Sequence, residues 1–169
     1  TAYTTDSDGG YLTIEKDFGA VLLKSLTMYR SSDSRTLIDL DSSDLPIFAV
    51  RFEPSSTTFS QEFDLTGTVG DLEWVAGAYY MQYDNEFRPL AATEAFGMQP
   101  FTIYEETSTS DQAYAVFADV TYIAADNLYL TAGARYSYED ISARVRGLST
   151  PVGPVDMPEW SHDWSNVSP

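Results

Sequence analysis

The sequence predicts an all-β protein, an antiparallel up-and-down meander of about six strands that forms a segment of a transmembrane β-barrel. Three observations predict it. Apolar and polar residues alternate with period 2 in six places, while helical periodicity is nearly absent. The connections between these segments are alternately short and long. Twelve tyrosines stand against nine lysines and arginines, and a flat apolar ring with a polar tip suits a boundary between water and hydrocarbon.

The first strand is Tyr11 to Asp17, with Leu12 and Ile14 opposite Thr13 and Glu15. A turn at Phe18-Gly19-Ala20 leads into Val21 to Arg30. The faces of that second strand stay unassigned, because Lys24 and Arg30 share a parity with Leu22, Leu26 and Met28. Thr58 to Thr66 sets Phe59, Phe63 and Leu65 against Ser60, Glu62, Asp64 and Thr66. After a tight turn over 67–71, Leu72 to Tyr83 returns as a strand rich in Trp, Ala and Tyr. Ala113 to Tyr122 alternates most clearly. Tyr114, Val116, Ala118, Val120 and Tyr122 make one face; Ala115, Phe117, Asp119 and Thr121 make the other. Ala124-Ala125-Asp126-Asn127 is a connection of hairpin length. Beyond it, Leu128 to Glu139 repeats the pattern, with Leu128, Leu130, Ala132, Ala134, Tyr136 and Tyr138 opposite Tyr129, Thr131, Gly133, Arg135, Ser137 and Glu139.

The long connections cover roughly 31–57, 84–112 and 142–169 and hold most of the Pro, Ser and Asp. In a meander this places every short turn at one end and every long connection at the other. Outer-membrane barrels have that asymmetry, and strands of about 9–11 residues suffice to cross the bilayer at a tilt. A soluble β-sandwich, such as a carbohydrate-binding or adhesin-like module, would give the same alternation within each strand. It does not account for the short–long rhythm or for such long connections. A passive porin is a third reading of the same pattern.

Composition removes other classes. With 43% apolar and 14% aromatic residues the chain is no disordered segment. A net charge of −17 repels phosphate backbones, so no nucleic-acid partner is expected. The same charge argues against anionic lipid headgroups held by a basic patch. The absence of cysteine excludes disulfides and thiolate metal sites. No apolar run of about 18 residues could span as a helix, so the expected membrane segments are strands. Neither a starting Met nor a signal peptide is visible, and the chain reads as a piece of a larger protein.

Three stretches carry a family resemblance. In Thr57 to Phe87, Ser60-Gln61-Glu62, Leu65, Gly67, Trp74, Gly77, Tyr79 and Tyr80 are similar to the SQE-x-R-L-x-G, turn, W-x-x-G-x-Y-Y hairpin of TonB-dependent outer-membrane receptors. Phe63-Asp64 departs from the apolar–Arg pair common there. In Ala113 to Asp140, Tyr114, Ala115, Phe117, Tyr122, Leu130, Thr131, Gly133, Arg135 and Tyr136 resemble that family's Y-A-x-F, turn, L-T-x-G-x-R-Y hairpin. Leu23 to Ser31 is similar to its L-K-S-I-T-x-Y-R strand, and Trp164 to Pro169 to the start of the next strand. Within that family the iron-siderophore receptors are the most similar in character.

The resemblance implies that residues 1–169 are part of the receptor's barrel domain, with the plug domain and the remaining strands of a barrel of about 22 absent. It implies the outer membrane of a Gram-negative bacterium, a ferric siderophore as ligand, outer-membrane lipid around the wall, and coupling to the TonB complex through the plug. Cobalamin and oligosaccharide stay open as ligands. Six strands fall short of the about eight needed for closure, so such a piece is not expected to fold alone.

Five charged residues, Glu62, Asp64, Asp119, Arg135 and Glu139, fall on the face read as lumenal. Charge on the lipid face costs a few kcal/mol at the midplane, so these residues are expected to form a polar lining against the plug. There Arg135 would neutralise neighbouring carboxylates. Phe87, Arg88, Phe96, Phe101 and Tyr104 in the 84–111 connection are the candidates for ligand contact, by stacking and by pairing with an anionic chelate; packing of the loop is the competing role. No catalytic constellation is present. His162, the one histidine, sits in a Pro/Trp-rich tail with nothing to support a triad. The acidic groups at Asp39, Asp41 and Asp44 and at Glu105-Glu106 match no calcium-loop spacing, and no metal or cofactor is expected.

Overall fold

A computed structural model describes residues 2–39, 48–93, 101–149, 153 and 155–169. Every regular element is a strand: β1 (Ala2–Asp17), β2 (Val21–Asp39), β3 (Phe48–Val69), β4 (Leu72–Thr93), β5 (Phe101–Ala125), β6 (Leu128–Ser149), β7 (Val155–Asp156) and β8 (Trp160–Ser168). Each of the first six pairs antiparallel with its sequence neighbour. Both β7 and β8 pair with β6, from Gly147↔Val155 to Arg135↔Ser168. The register slips by one residue across Met157–Glu159, so β7 and β8 together make one interrupted seventh strand. Sequence reading placed that segment in a connection, apart from its last six residues.

Cross-strand partners lie on one face of a sheet, so the register assigns every side chain. Leu72, Trp74, Ala76, Ala78 and Tyr80 of β4 stand opposite Tyr122, Val120, Ala118, Val116 and Tyr114 of β5. These continue into Leu130, Ala132, Ala134, Tyr136 and Tyr138 of β6 and into Leu65, Phe63 and Phe59 of β3. The ambiguous strand β2 is settled by Leu23↔Leu65 and Lys24↔Asp64. Leu23, Ser25, Thr27 and Tyr29 join the apolar face; Leu22, Lys24, Leu26, Met28 and Arg30 join the polar one. Two hydroxyls on the apolar face are satisfied locally, Thr27 by donating to Gln61 Oε1 at 2.5 Å and Ser25 by accepting from Gln61 Nε2 at 3.0 Å.

The sheet is one layer. Among the described residues only Val50, Ser60, Ala115 and Gly147 are buried, and no large side chain is fully enclosed. Phe63, Val116, Leu130 and Tyr136 stay 45–55% exposed. A sandwich would cover this face with a second sheet about 10 Å away; none is present among the described residues. β1 and β8 are open edges, and the sheet does not close on itself.

An aromatic row crosses the apolar face. Ring centroids of Phe59–Tyr80, Tyr80–Tyr114 and Tyr114–Tyr138 are 6.2, 5.0 and 6.4 Å apart. Tyr80 and Tyr114 donate their hydroxyls outward, to Gln82 Oε1 at 3.1 Å and Gln112 Oε1 at 3.2 Å. Trp74 and Tyr122 mark the other margin. From Tyr114 to Tyr122 is about 27 Å along the strand, about 20 Å after a barrel tilt of about 40°. Between the margins lie Val116, Ala118 and Val120.

The first six strands run 16–25 residues, well past the expected 9–11. Most of what reads as long connection is strand. Beyond the aromatic row apolar alternation stops while backbone pairing continues through Ser- and Thr-rich sequence such as Thr107–Ser110. The short–long asymmetry survives: 18–20, 70–71 and 126–127 are the turns at one end.

At the first of these turns Gly19 adopts φ 92° and its N–H donates to Asp17 Oδ1 at 2.6 Å. Gly19→Ala forces a Cβ into the left-handed region and is expected to destabilise by about 1–2 kcal/mol. Urea unfolding of the membrane-inserted protein measures this; an unchanged midpoint would refute the turn geometry.

Candidate functional site

The polar face begins at the turns. Asp17, Glu73 and Asp119, with Thr66 and Thr121, line a recess of about 590 Å³ there. The five residues expected as polar lining, Glu62, Asp64, Asp119, Arg135 and Glu139, all share this face by register. They are spread along it. Asp64, Gly77, Phe117 and Arg135 stand in one cross-strand row, which puts Asp64 and Arg135 three strand spacings, about 14 Å, apart. Arg135 donates from Nε to Ser137 Oγ at 3.0 Å and forms no ion pair among the described residues.

Glycines create room for the larger groups of this face. The Phe117 ring lies over Gly77, and the Asp119 carboxylate lies over Gly133. Asp64 Oδ1 beside Gly77 is buried without a hydrogen-bond partner.

Further along, a recess of about 290 Å³ is lined by Tyr79, Arg135, Ser137, Glu139, Trp164 and Asn166. It unites two of the expected lining residues with an aromatic wall. From Trp164 outward the rings of Trp164, His162 and Trp160 follow one another, the first pair tilted and the second stacked, with centroids 5.9 and 6.2 Å apart. Their partners on β6 are Glu139, Ile141 and Ala143, so all three rings stand on the polar face. Trp160 is 58% and Trp164 41% exposed. Sequence reading missed this ladder by taking the segment for a tail; Trp-x-His-x-Trp at period 2 was the available signal. Nearby, Asp111 shares the polar face beyond the aromatic row. Burial holds its carboxyl above the ordinary carboxylate range.

The candidate ligand-contact residues separate. Phe87 and Arg88 are neighbours on β4 and so point to opposite faces. Phe87 is on the polar face, stacked on Phe52 with centroids 5.6 Å apart. Arg88 is on the apolar-band side, paired with Glu86 and, at 3.8 Å, with Glu106. Phe96 lies outside the described residues. Phe101 and Tyr104 belong to β5, opposite Thr93 and Leu90; their side chains lie outside the described part. Asp41 and Asp44 are also outside it. Among the described residues no three His, Cys, Asp or Glu side chains converge as a metal site.

Three comparisons bear on this wall. The sequence model of the family described as TonB dependent receptor-like, beta-barrel, matches residues 1–169. No curated protein matches the sequence. Among solved structures, the ferric yersiniabactin uptake receptor FyuA from Yersinia pestis superposes with a TM-score of 0.78 at 14% identity, over 98% of this chain and 25% of that one. The ferric citrate transporter FecA in its unliganded form gives 0.62 at 10% identity, over 98% and 24%. The chain thus spans about a quarter of the length of either protein.

Proposed function

Because the chain belongs to the TonB-dependent receptor β-barrel family, we propose that it is part of the wall of a receptor in a Gram-negative outer membrane that binds and imports a scarce ligand. The leading ligand is a ferric siderophore, and the energy comes through TonB by way of a plug inside the barrel. The observation that supports this best is the single-layer sheet, with an aromatic-edged apolar band on one face and carboxylates, arginine and stacked aromatics on the other. A one-layer wall is stable only where lipid covers one side and protein or water the other.

In this reading the polar face is the lumen. Glu62, Asp64 and Asp119 stand toward the turns and line the space a plug fills. Phe87 and the Trp160–His162–Trp164 ladder stand toward the long connections, where an incoming chelate arrives. In this reading the wall binds its ligand and passes it on.

The test is binding by the full-length protein. Stacking contributes about 1 kcal/mol per ring pair, so Trp160→Ala with Trp164→Ala should weaken a catecholate ferric chelate by about thirtyfold. Ferric citrate, which has no ring to stack, should respond little to the same change. Equal Kd values for wild type and the double variant across ferric catecholate, ferric yersiniabactin and ferric citrate would sink the ladder as a ligand contact. Uptake that persists without TonB, at unchanged binding, would remove the coupling.

A further inference from the structure

The register sorts the charged side chains by sign. Of the nine lysines and arginines, five, Arg35, Arg51, Arg88, Arg144 and Arg146, lie beyond the aromatic row on the side of the apolar band. The polar face keeps one cation beyond the row, Arg30. It is on β2, in the cross-strand row Arg30, Thr58, Tyr83, Asp111, so three strand spacings, about 14 Å, separate it from Asp111. Over β4 to β8 the polar face past the row therefore has no cation. Arg88, the arginine expected to pair with an anionic chelate, is turned away from it.

That stretch holds carboxylates and rings. Tyr83, Asp111, Ile141 and His162 stand in one cross-strand row, and Met81, Ala113, Glu139 and Trp164 in the next. Glu139 is thus directly opposite Trp164, with Cβ atoms about 5 Å apart, and diagonal to both Asp111 and His162 at about 7–8 Å. Asp111 Oδ1 is buried without a hydrogen-bond partner. Neither carboxylate has an ion pair among the described residues, and Trp160 and Trp164 are exposed. Arg135 is four residues nearer the turns than Glu139, about 13 Å along β6, and donates to Ser137. A ring face attracts a cation through its quadrupole, and a carboxylate attracts it by charge. An anion brought to the same place meets two uncompensated carboxylates.

We propose that this stretch of the polar face takes a cationic group of the ligand, an alkylammonium or guanidinium, with Asp111 and Glu139 on its N–H donors and the Trp160–His162–Trp164 rings along its stem. The substrate class is then a ferric chelate that bears a free basic amine, and a chelate whose free groups are all anionic is a poor ligand. The inference rests on the reading of the polar face as the path of an imported chelate, and narrows that reading by charge.

The experiment measures Kd of the full-length protein for two pairs of ferric chelates, one pair trihydroxamate and one tricatecholate. Members of a pair differ only in a terminal amine that is free or acetylated. Within at least one pair the free amine should bind about tenfold more tightly, the worth of one charge-assisted contact. Asp111→Asn with Glu139→Gln should abolish that preference by weakening the free-amine member alone. Asp140→Asn with Asp163→Asn, the same charge change on the opposite face of β6 and β8, should leave the preference intact. Equal Kd values within both pairs, a preference that survives Asp111→Asn with Glu139→Gln, or one lost equally in Asp140→Asn with Asp163→Asn overturns the charge assignment. The path itself still stands in those cases if Trp160→Ala with Trp164→Ala weakens binding. Kd values that neither the carboxylate nor the tryptophan variants move, or no binding of any of the four chelates, overturn both.

Discussion

Ala118→Arg is expected to destabilise the membrane-inserted protein by about 2–4 kcal/mol, the cost of a cation at the hydrocarbon midplane of a barrel. Ala118 is midway between the Tyr114 and Tyr122 margins, opposite Ala76 and Ala134, and its methyl group is exposed on the apolar face. Three alanines in one cross-strand row leave the new side chain no neighbouring acceptor there. A guanidinium there must snorkel about 10 Å to reach either edge or remain desolvated. Thr131→Arg, on the polar face, should stay within about 1 kcal/mol: it gives up the exposed 2.9 Å hydroxyl contact with Thr121 and gains water. Urea unfolding in vesicles reads the difference directly. Equal costs for the two variants would mean that the apolar face does not meet lipid, and the membrane reading would fall with it.

The sequence made the apolar band legible because lipid enforces strict alternation. Every residue assigned to that face in Ala113–Tyr122 and Leu128–Glu139 is found there. It left β2 undecided because Leu22, Leu26 and Met28 stand on the polar face, which in a protein-filled barrel is not uniformly polar; only Lys24↔Asp64 pairing breaks the tie. Strand ends were illegible for a related reason. Past the aromatic row both faces are wet, so Thr107–Ser110 carries no period and reads as loop, although its backbone pairs on both sides. Phe87 and Arg88 show the cost of that misreading. In a loop two adjacent residues can meet one ligand, whereas on a strand they cannot. The ladder on β8 needed the strand assignment before its period could mean anything.

Gly77→Val is the second large effect, at about 2–3 kcal/mol, near the upper range for overpacking. Gly77 lies on the polar face between Asp64 and Phe117. A Cβ there would stand 2.6 Å from Phe117 Cε1 and 2.8 Å from Asp64 Oδ1, both inside van der Waals contact. Phe117 would have to swing off the strand and Asp64 to rotate away from a site where its oxygen is already buried without a partner. The same device recurs on the other face, where a Cβ on Gly67 would be 2.7 Å from Trp74 Cζ2 and 2.8 Å from the Ala20 carbonyl. An aromatic laid over a strand glycine replaces the missing side chain with cross-strand contact and pins the register. If that is its role at Gly77, the cost of valine must depend on Phe117. In a Phe117→Ala background, Gly77→Val should therefore cost at least about 1 kcal/mol less than in wild type, a coupling typical of residues in contact. Identical costs in both backgrounds would show that the ring does not cover the glycine, and that Gly77 is kept for the backbone alone.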